Sequence, residues 1–402
     1  MSAPATNVLP NNRDENWRYA NLRALAKARP EAVPASPLVP SDALPPAIPG
    51  FSRWVFVDGH FAPALSEQRR DPVVAILDHT AGAVAEILDA DLASEGIDFA
   101  LARANAARGK QVMHLSLNEN ASAAIEVIFV AASPASEGIA YPRLQVHASR
   151  DSSLKLIERH VSVNARDSVV NAAVDIALNA RAKVDHTRIQ NCADGASVFD
   201  TLITRVGEHA NYRFRSITLG GVAARSTAFI KLAGRAARCE FIAASIANGL
   251  QSLDAFAEIE HAAPDTATRE VFRGIATERG KLAFNGKMIV RENAFDADSD
   301  QSLKTLLTGG GAEAAARPQL EIYTDRVKAK HGATTGKLDE QMLFYLLSRG
   351  IERTTAQSLL QWAFIEDAVS KIEPAELRRE VEQLVSQQLL EVSALGLVGD
   401  RS

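Results

Sequence analysis

Cysteine is almost missing from this chain: 402 residues contain two, Cys192 and Cys239. They cannot build a disulfide framework and have no Cys-x-x-Cys spacing, so they read as small buried apolar side chains in a reducing compartment. Long apolar runs are missing too. The most apolar stretch, Ala121 to Ala132, is broken by Glu126 and falls well short of the roughly 18 residues a membrane span needs. The N-terminal MSAPATNVLPNNRDENW lacks the basic region and apolar stretch of a secretory signal. A cytoplasmic protein without membrane contact is expected. No basic excess exists either, since 44 Lys+Arg against 49 Asp+Glu leave a net charge of −5, which gives no electrostatic reason to bind nucleic acid. Catalytic signatures such as Gly-x-Ser-x-Gly or His-Glu-x-x-His do not occur. Gly332-Ala-Thr-Thr-Gly336-Lys337-Leu338 is a near-miss of a phosphate loop: it has three residues between its glycines, and Leu338 cannot ligate Mg²⁺. Nucleotide binding is not expected there.

What is present is an ordinary globular composition, 47% hydrophobic and 23% charged, on a chain long enough for two or three domains. Residues 15–29 (ENWRYANLRALAKAR) predict a short helix with Trp17, Leu22 and Leu25 near one face. Seven of the sixteen prolines then fall between Pro30 and Pro49, an extended connector. Trp54-Val-Phe-Val57 followed by Asp58-Gly59 predicts a strand ending in a tight turn. Residues 82–109 return to a helical pattern. From about Ser116 to Ile322 short alternating runs dominate, among them Ile125 to Val130, Val174 to Leu178 and Phe214 to Leu219, and period two argues strands. After His331, three segments of 3.6 spacing appear: Leu338 to Ser348, Thr355 to Lys371 and Pro374 to Leu395. Thr354 or Thr355 suits the cap of the second.

A weak repeat lies over the strand region. A small residue followed two positions later by an inward candidate recurs at Ala182/Val184, Ala196/Val198, Ala210/Tyr212, Ala224/Ser226 and Ala237/Cys239, at spacings of 14, 14, 14 and 13. Isoleucine follows the first three inward candidates by five positions, at 189, 203 and 217. Evenly spaced short strands suit a solenoid, with a β-helix as its natural form; a β-sandwich is the alternative. Four segments are therefore expected: 1–50 a helix and proline-rich connector, 51–115 an α/β region, 116–330 a parallel β-helix, and 331–402 a helical domain.

For chemistry, His331 stands where strands meet the helical tail, beside Lys328, Lys330 and Lys337. A neutral imidazole ligates iron or zinc, but no partner ligand lies nearby in sequence. The remaining histidines, His79 and His261 among them, have no metal spacing, and His261 belongs to a Pro264-Asp265 turn with a structural role. A β-helix polysaccharide lyase or hydrolase would gather carboxylates on one face. Asp175, Asp185 and Asp200 do not recur in phase, so a solvated outer face is the better reading.

The tail carries a resemblance. Pro318-Gln-Leu-Glu-Ile-Tyr-Thr-Asp-Arg-Val-Lys-Ala-Lys-His331-Gly-Ala-Thr-Thr-Gly-Lys-Leu-Asp339, running on to Ile351, is similar to the shared C-terminal signature of the SufB/SufD family, which takes part in iron–sulfur cluster assembly. Asn16 to Leu25, Val55 to Gly59, His261 to Thr266 and Phe284 to Val290 agree with it. The chain is compact and has Gly332, where the SufB branch carries Glu after the histidine, so it resembles the SufD branch. The resemblance implies a mainly β fold, a right-handed parallel β-helix flanked by N- and C-terminal α-helical domains, and a non-enzymatic scaffold. It implies pairing with SufB through the β-helix and docking of the ATPase SufC on the C-terminal helices. A SufB-like homodimeric scaffold is the nearest alternative. No stably bound cofactor is implied for the isolated chain; an iron–sulfur cluster would be shared transiently with SufB. His331 matches the family histidine at that interface. Many relatives read Val-Lys-Cys-Ser-His where this chain reads Val327-Lys-Ala329-Lys-His331, so the imidazole stands without a nearby thiol. For the ATPase, Arg349, Gly350, Phe364, Ile365 and Glu366 are the candidate contacts.

Overall fold

The computed structural model describes residues 9–35, 39–67, 74–78, 97–163 and 167–399. Its body is a flattened solenoid of two facing sheets. The first sheet holds β1 (Ser52–Val57), β2 (His60–Phe61), β5 (Ser122–Ala131), β7 (Ser153–Ser162), β9 (Lys183–Asn191), β11 (Asn211–Thr218), β13 (Arg238–Ala247), β15 (Ala267–Ala276), β17 (Ala297–Leu307) and β19 (Val327–Gly336). The second holds β3 (Val74–Asp78), β4 (Gln111–Leu117), β6 (Arg143–Ala148), β8 (Val169–Leu178), β10 (Ser197–Val206), β12 (Ala223–Leu232), β14 (Ser252–His261), β16 (Lys281–Val290) and β18 (Glu313–Ile322). The chain alternates between the sheets, so each strand pairs in parallel with the strand one turn before it. The exceptions are the β1–β2 hairpin and the antiparallel β3–β4 pair at the start. Asp58 and Gly59 make the expected turn with φ of 50° and 85°.

Val170, Val198, Ala224, Leu253, Leu282 and Ala314 stack in one column, so a turn takes 26–32 residues and contains two strands. The 14-residue spacing in the sequence is half a turn. Its alanines have a cause. A left-handed residue sits at the corner before each of β9, β11, β13, β15 and β17 of the first sheet: Arg181, His209, Ala236, Asp265 and Asp296. The next position is small and enclosed in most of them, as at Ala182, Ala210, Ala237 and Ala297. Ala224/Ser226 belongs to a different series, because Ala224 pairs with Val198 inside the strands rather than standing at a corner.

Both faces of the sheets are covered over much of their length, and strands buried on both sides lose their alternation. Inside the solenoid a continuous core runs from Trp54 and Phe56 to Leu303, with Phe214, Phe241, Phe272 and Phe284 forming an aromatic ladder. Outside the first sheet lie the tail helices. The isoleucines at 189 and 217 point outward, five residues past inward neighbours, and are buried there; Ile203 meets α2 on the other sheet.

The helices are α1 (Arg23–Lys27), α2 (Ala100–Arg108), α3 (Glu340–Ser348), α4 (Arg353–Val369) and α5 (Ala375–Gly399). Residues 15–29 are thus not one helix. A single 3-10 turn, Glu15–Trp17, precedes α1, because Trp17 leaves the helical path to stack on Arg225, 4.3 Å from the guanidinium carbon to the ring centre. Residues 79–96, including His79 and most of the expected 82–109 helix, lie outside the described residues. Glu352, rather than Thr354 or Thr355, caps α4 by accepting from the Thr355 amide at 3.1 Å. β-structure persists to Gly336, beyond the expected boundary at 330, and β1 and β4 join the same two sheets as the main solenoid.

Two of the three aspartates expected on a solvated face are buried in ion pairs. Asp175 is paired to Arg143 at 2.7 Å, and burial raises it to about 6. Asp200 lies inside the solenoid against Arg188. Arg188 also contacts Glu158, which is hydrogen bonded to His160 and His186 at 2.6 and 2.8 Å. Burial opposes charge on Glu158, but Arg188 and the two imidazoles outweigh it and hold the carboxyl well below its ordinary range. Only Asp185, paired to Arg213 and Arg215, is partly open to solvent. Both cysteines are buried thiols, as expected, and His261 is buried with Nδ1 2.8 Å from Thr266 Oγ1.

Candidate functional site

The solenoid stops at β18 and β19 without a further turn above them. Each is a ten-residue strand paired on one side only. Inward positions that would be enclosed lower down are half-open here: Ala314, Ala316 and Leu320 pack on the last of the core but remain partly accessible. Ile322 and Tyr323 stand exposed at the rim. Long edges present rows of free N–H and C=O groups, ready to pair with another chain.

Backbone direction defines that edge. In a parallel ladder both polar groups of a residue point to the same neighbour. Ala267 N–H donates to Ala237 at 3.0 Å and Asp298 N–H to Thr266 at 2.9 Å, each toward the turn below. Their column partner in the last turn is Lys328. Even-numbered residues of β19 therefore bond to β17, whereas the backbone groups of Ala329, His331, Ala333 and Thr335 face the open edge.

His331 is part of a strand rather than a turn, and it is exposed. It pairs with Gln301, whose amide reaches across the interior to the Gly286 carbonyl at 3.0 Å. The imidazole accordingly lies on the inward side of β19, at the mouth of the solenoid. The near-miss phosphate loop has become this same strand, which removes the curved cradle a phosphate would need. Among the described residues, no group of three or more His, Cys, Asp or Glu side chains is placed to hold a metal ion.

The tail offers a separate surface. Ile365, read from the sequence as a contact, is fully buried between α4 and the first sheet, together with Ala368 and Val369. Phe364 is half-buried against the same core. Glu366, Arg349 and Gly350 are exposed, and Arg349 lies 5.2 Å from the centre of the Tyr345 ring. The sequence reading missed Met342, Phe344 and Tyr345 on α3, which are 52%, 72% and 53% exposed. A helix with one buried position, Leu343, and three large exposed apolar ones is unusual for a surface that meets only water. The signal was legible in Met342-Leu-Phe-Tyr-Leu-Leu347 as apolar residues on every side of a short helix.

Comparison with known proteins agrees with this geometry. Residues 129–364 match the family described as SUF system FeS cluster assembly, SufBD core domain. The iron–sulfur cluster assembly protein SufD of Escherichia coli is 27% identical over 95% of this chain and 89% of its own length. A SufBD family iron–sulfur cluster assembly protein of Synechocystis is 26% identical over 94% and 87%. A SufD of Plasmodium falciparum matches 61% of this chain at 26% identity, over 17% of its own much greater length. With more than half its length matched by that family and a two-sheet parallel solenoid as its body, the chain belongs to the SufBD family of iron–sulfur cluster assembly proteins.

Proposed function

We propose that this chain is a non-enzymatic scaffold subunit that supplies half of an interfacial site where an iron–sulfur cluster is built. The mouth of the solenoid pairs with the corresponding end of SufB, extending both sheets across the junction. A SufC ATPase docks on the tail helices, with Phe344, Tyr345, Arg349, Gly350 and Glu366 as contacts, and its ATP-driven motion reaches the junction through α3 and α4. His331 meets the cluster or its iron as substrate, with the other donors coming from SufB. A cytoplasmic setting belongs to this reading.

The observation that supports it most is the pair of unpaired ten-residue edges with His331 on their inner side. Such edges are normally capped, twisted away or loaded with proline; β19 carries no proline, and β18 has one, Pro318, on its open side. Co-expression with SufB and SufC followed by native mass measurement tests the reading. A complex containing all three chains is expected; recovery of this chain alone overturns it. Assembly with a second copy of itself would instead make it a homodimeric scaffold. Within the complex, His331→Ala should leave the mass unchanged and lower cluster yield; an unchanged yield removes His331 from the reaction.

A further inference from the structure

Beneath His331 the interior holds a carboxyl group that the core does not explain. Leu156, His186, Phe214, Phe241, Glu270, Gln301 and His331 form one inward column of the first sheet. Its lower members pack in the core or join the Glu158 network, but the last three are polar. Glu270 is fully buried, accepts from the Gln301 amide through Oε2, and leaves Oε1 without a partner. Gln301 Oε1 is likewise buried and unpartnered. No Lys or Arg answers the carboxyl among the described residues in contact with it. From β13 the Cys239 thiol faces it, from β17 Gln301, and across the interior β16 contributes Phe284, Gly286 and Met288.

Space has been made for this group. Gly286 stands in the middle of a strand, where glycine is unfavourable unless something approaches closely. A methyl group there would come within 2.5 Å of Gln301 Nε2 and 2.9–3.0 Å of both Glu270 oxygens. Three residues on three strands thus accommodate one uncompensated carboxyl, where an apolar side chain would pack with less penalty. Burial raises Glu270 to about 7, so its proton is exchangeable near neutrality, and perturbed carboxyls of this kind cluster at functional sites.

We propose that Glu270 is a proton-exchanging residue of the mouth site, set under Gln301 so that positive charge arriving at His331 is balanced by loss of its proton. The exchange is a protein with neutral Glu270 plus a divalent cation giving a cation-loaded protein with ionised Glu270 plus one released proton. The two residues are two strand spacings apart, ~10 Å. At an effective dielectric of about 20 each unit of positive charge then lowers the carboxyl by on the order of one pH unit. This rests on His331 as the residue that meets the cation, and the test separates the two claims.

The probe is Zn²⁺ added near pH 7 to the full chain in its complex with SufB, which on the proposed reading supplies the donors missing among the described residues of this chain. Difference infrared spectra should show a protonated-carboxyl band that disappears on Zn²⁺ addition, is missing in Glu270→Gln, and persists on Zn²⁺ addition in His331→Ala. Calorimetry in buffers of different ionisation enthalpy should find about half a proton more released per Zn²⁺ in the wild type than in Glu270→Gln at equal occupancy, because a carboxyl titrating at about 7 is half-ionised at that pH. Equal release in both overturns the proposal. If Zn²⁺ does not bind at His331, the reading of the histidine fails on its own. Glu270 is then judged by infrared titration of the unmodified protein, where a carboxyl band titrating near pH 7 retains the proton-holding group and its absence removes it. Gly286→Ala, which crowds the carboxyl directly, should shift or abolish the same band.

Discussion

The two ends of the solenoid are built differently. At the start the β1–β2 hairpin, the antiparallel β3 and an N-terminal segment close the stack, and helices cover the sheets. At the finish β18 and β19 have a bare edge, a partly open interior and no cap among the described residues. A stack of parallel turns is stable because each turn buries its neighbours, and terminal turns normally need a polar cap. Closing one end and leaving the other open turns a structural device into a directional one. The closed end supplies stability, and the open end is available to a partner.

That contrast predicts where substitutions act. The largest loss should come from the enclosed ladder. Phe272 is fully buried and stacked on Phe284 at 4.3 Å, so Phe272→Ala should destabilise by about 3–5 kcal/mol in urea denaturation. Next is the covered outer face. Ile365→Ala should lose about 3 kcal/mol, whereas Phe344→Ala should stay within about 0.5 kcal/mol and weaken ATPase capture. Equal losses from both would mean that α3 is packed more like α4 than its exposure indicates.

Close to the Ile365 loss in size is a pH effect set by two groups on consecutive strands of the later turns, His261 on β14 and Glu270 on β15. Burial raises Glu270 from 4.5 to about 7 and lowers His261 from 6.5 to about 4. A raised carboxyl contributes stability below pH 4.5 that is lost as pH climbs through 7; a depressed histidine contributes above pH 6.5 and is lost on acidification through 4. The two oppose each other over nearly the same window. Glu270→Gln removes one side, so its stability relative to wild type should rise by up to about 3 kcal/mol between pH 4.5 and 7.5. A constant difference across that range would place Glu270 in solvent contact. The smallest change in stability belongs to the open edge. The Ala333 N–H points outward, so Ala333→Pro removes no bond within the chain and should shift stability by less than about 0.5 kcal/mol. The same substitution should prevent assembly through the edge. Normal assembly in that variant would move the interface elsewhere.

The solenoid was legible because corner alanines and inward apolar residues return every half-turn, and the tail helices because their apolar spacing is 3.6. β19 was not. Val327 to Gly336 contains Ala, His, Ala and Thr at its inward positions, with nothing among the described residues packed above them, and without an apolar alternation the strand read as the approach to a helix. Asp175 and Asp200 looked like surface charges because the arginines that pair with them, Arg143 and Arg188, lie on other strands or 12 or more residues away. His331 drew notice through its flanking lysines and the family signature. Glu270, Gln301 and Gly286 could not be found from sequence, because they meet only once register and the facing sheet are known.

Residues 15–17 are fastened to strands far along the chain. Glu15 pairs with Arg317 on β18, Asn16 accepts from Asn285 on β16, and Trp17 covers Arg225 on β12. A ribosome releases this segment long before its anchors, while the rungs between them are added one after another. The segment therefore seats in stages: Trp17 can settle once residue 225 has emerged, whereas Glu15 gains its partner only after residue 317, when the stack is nearly complete.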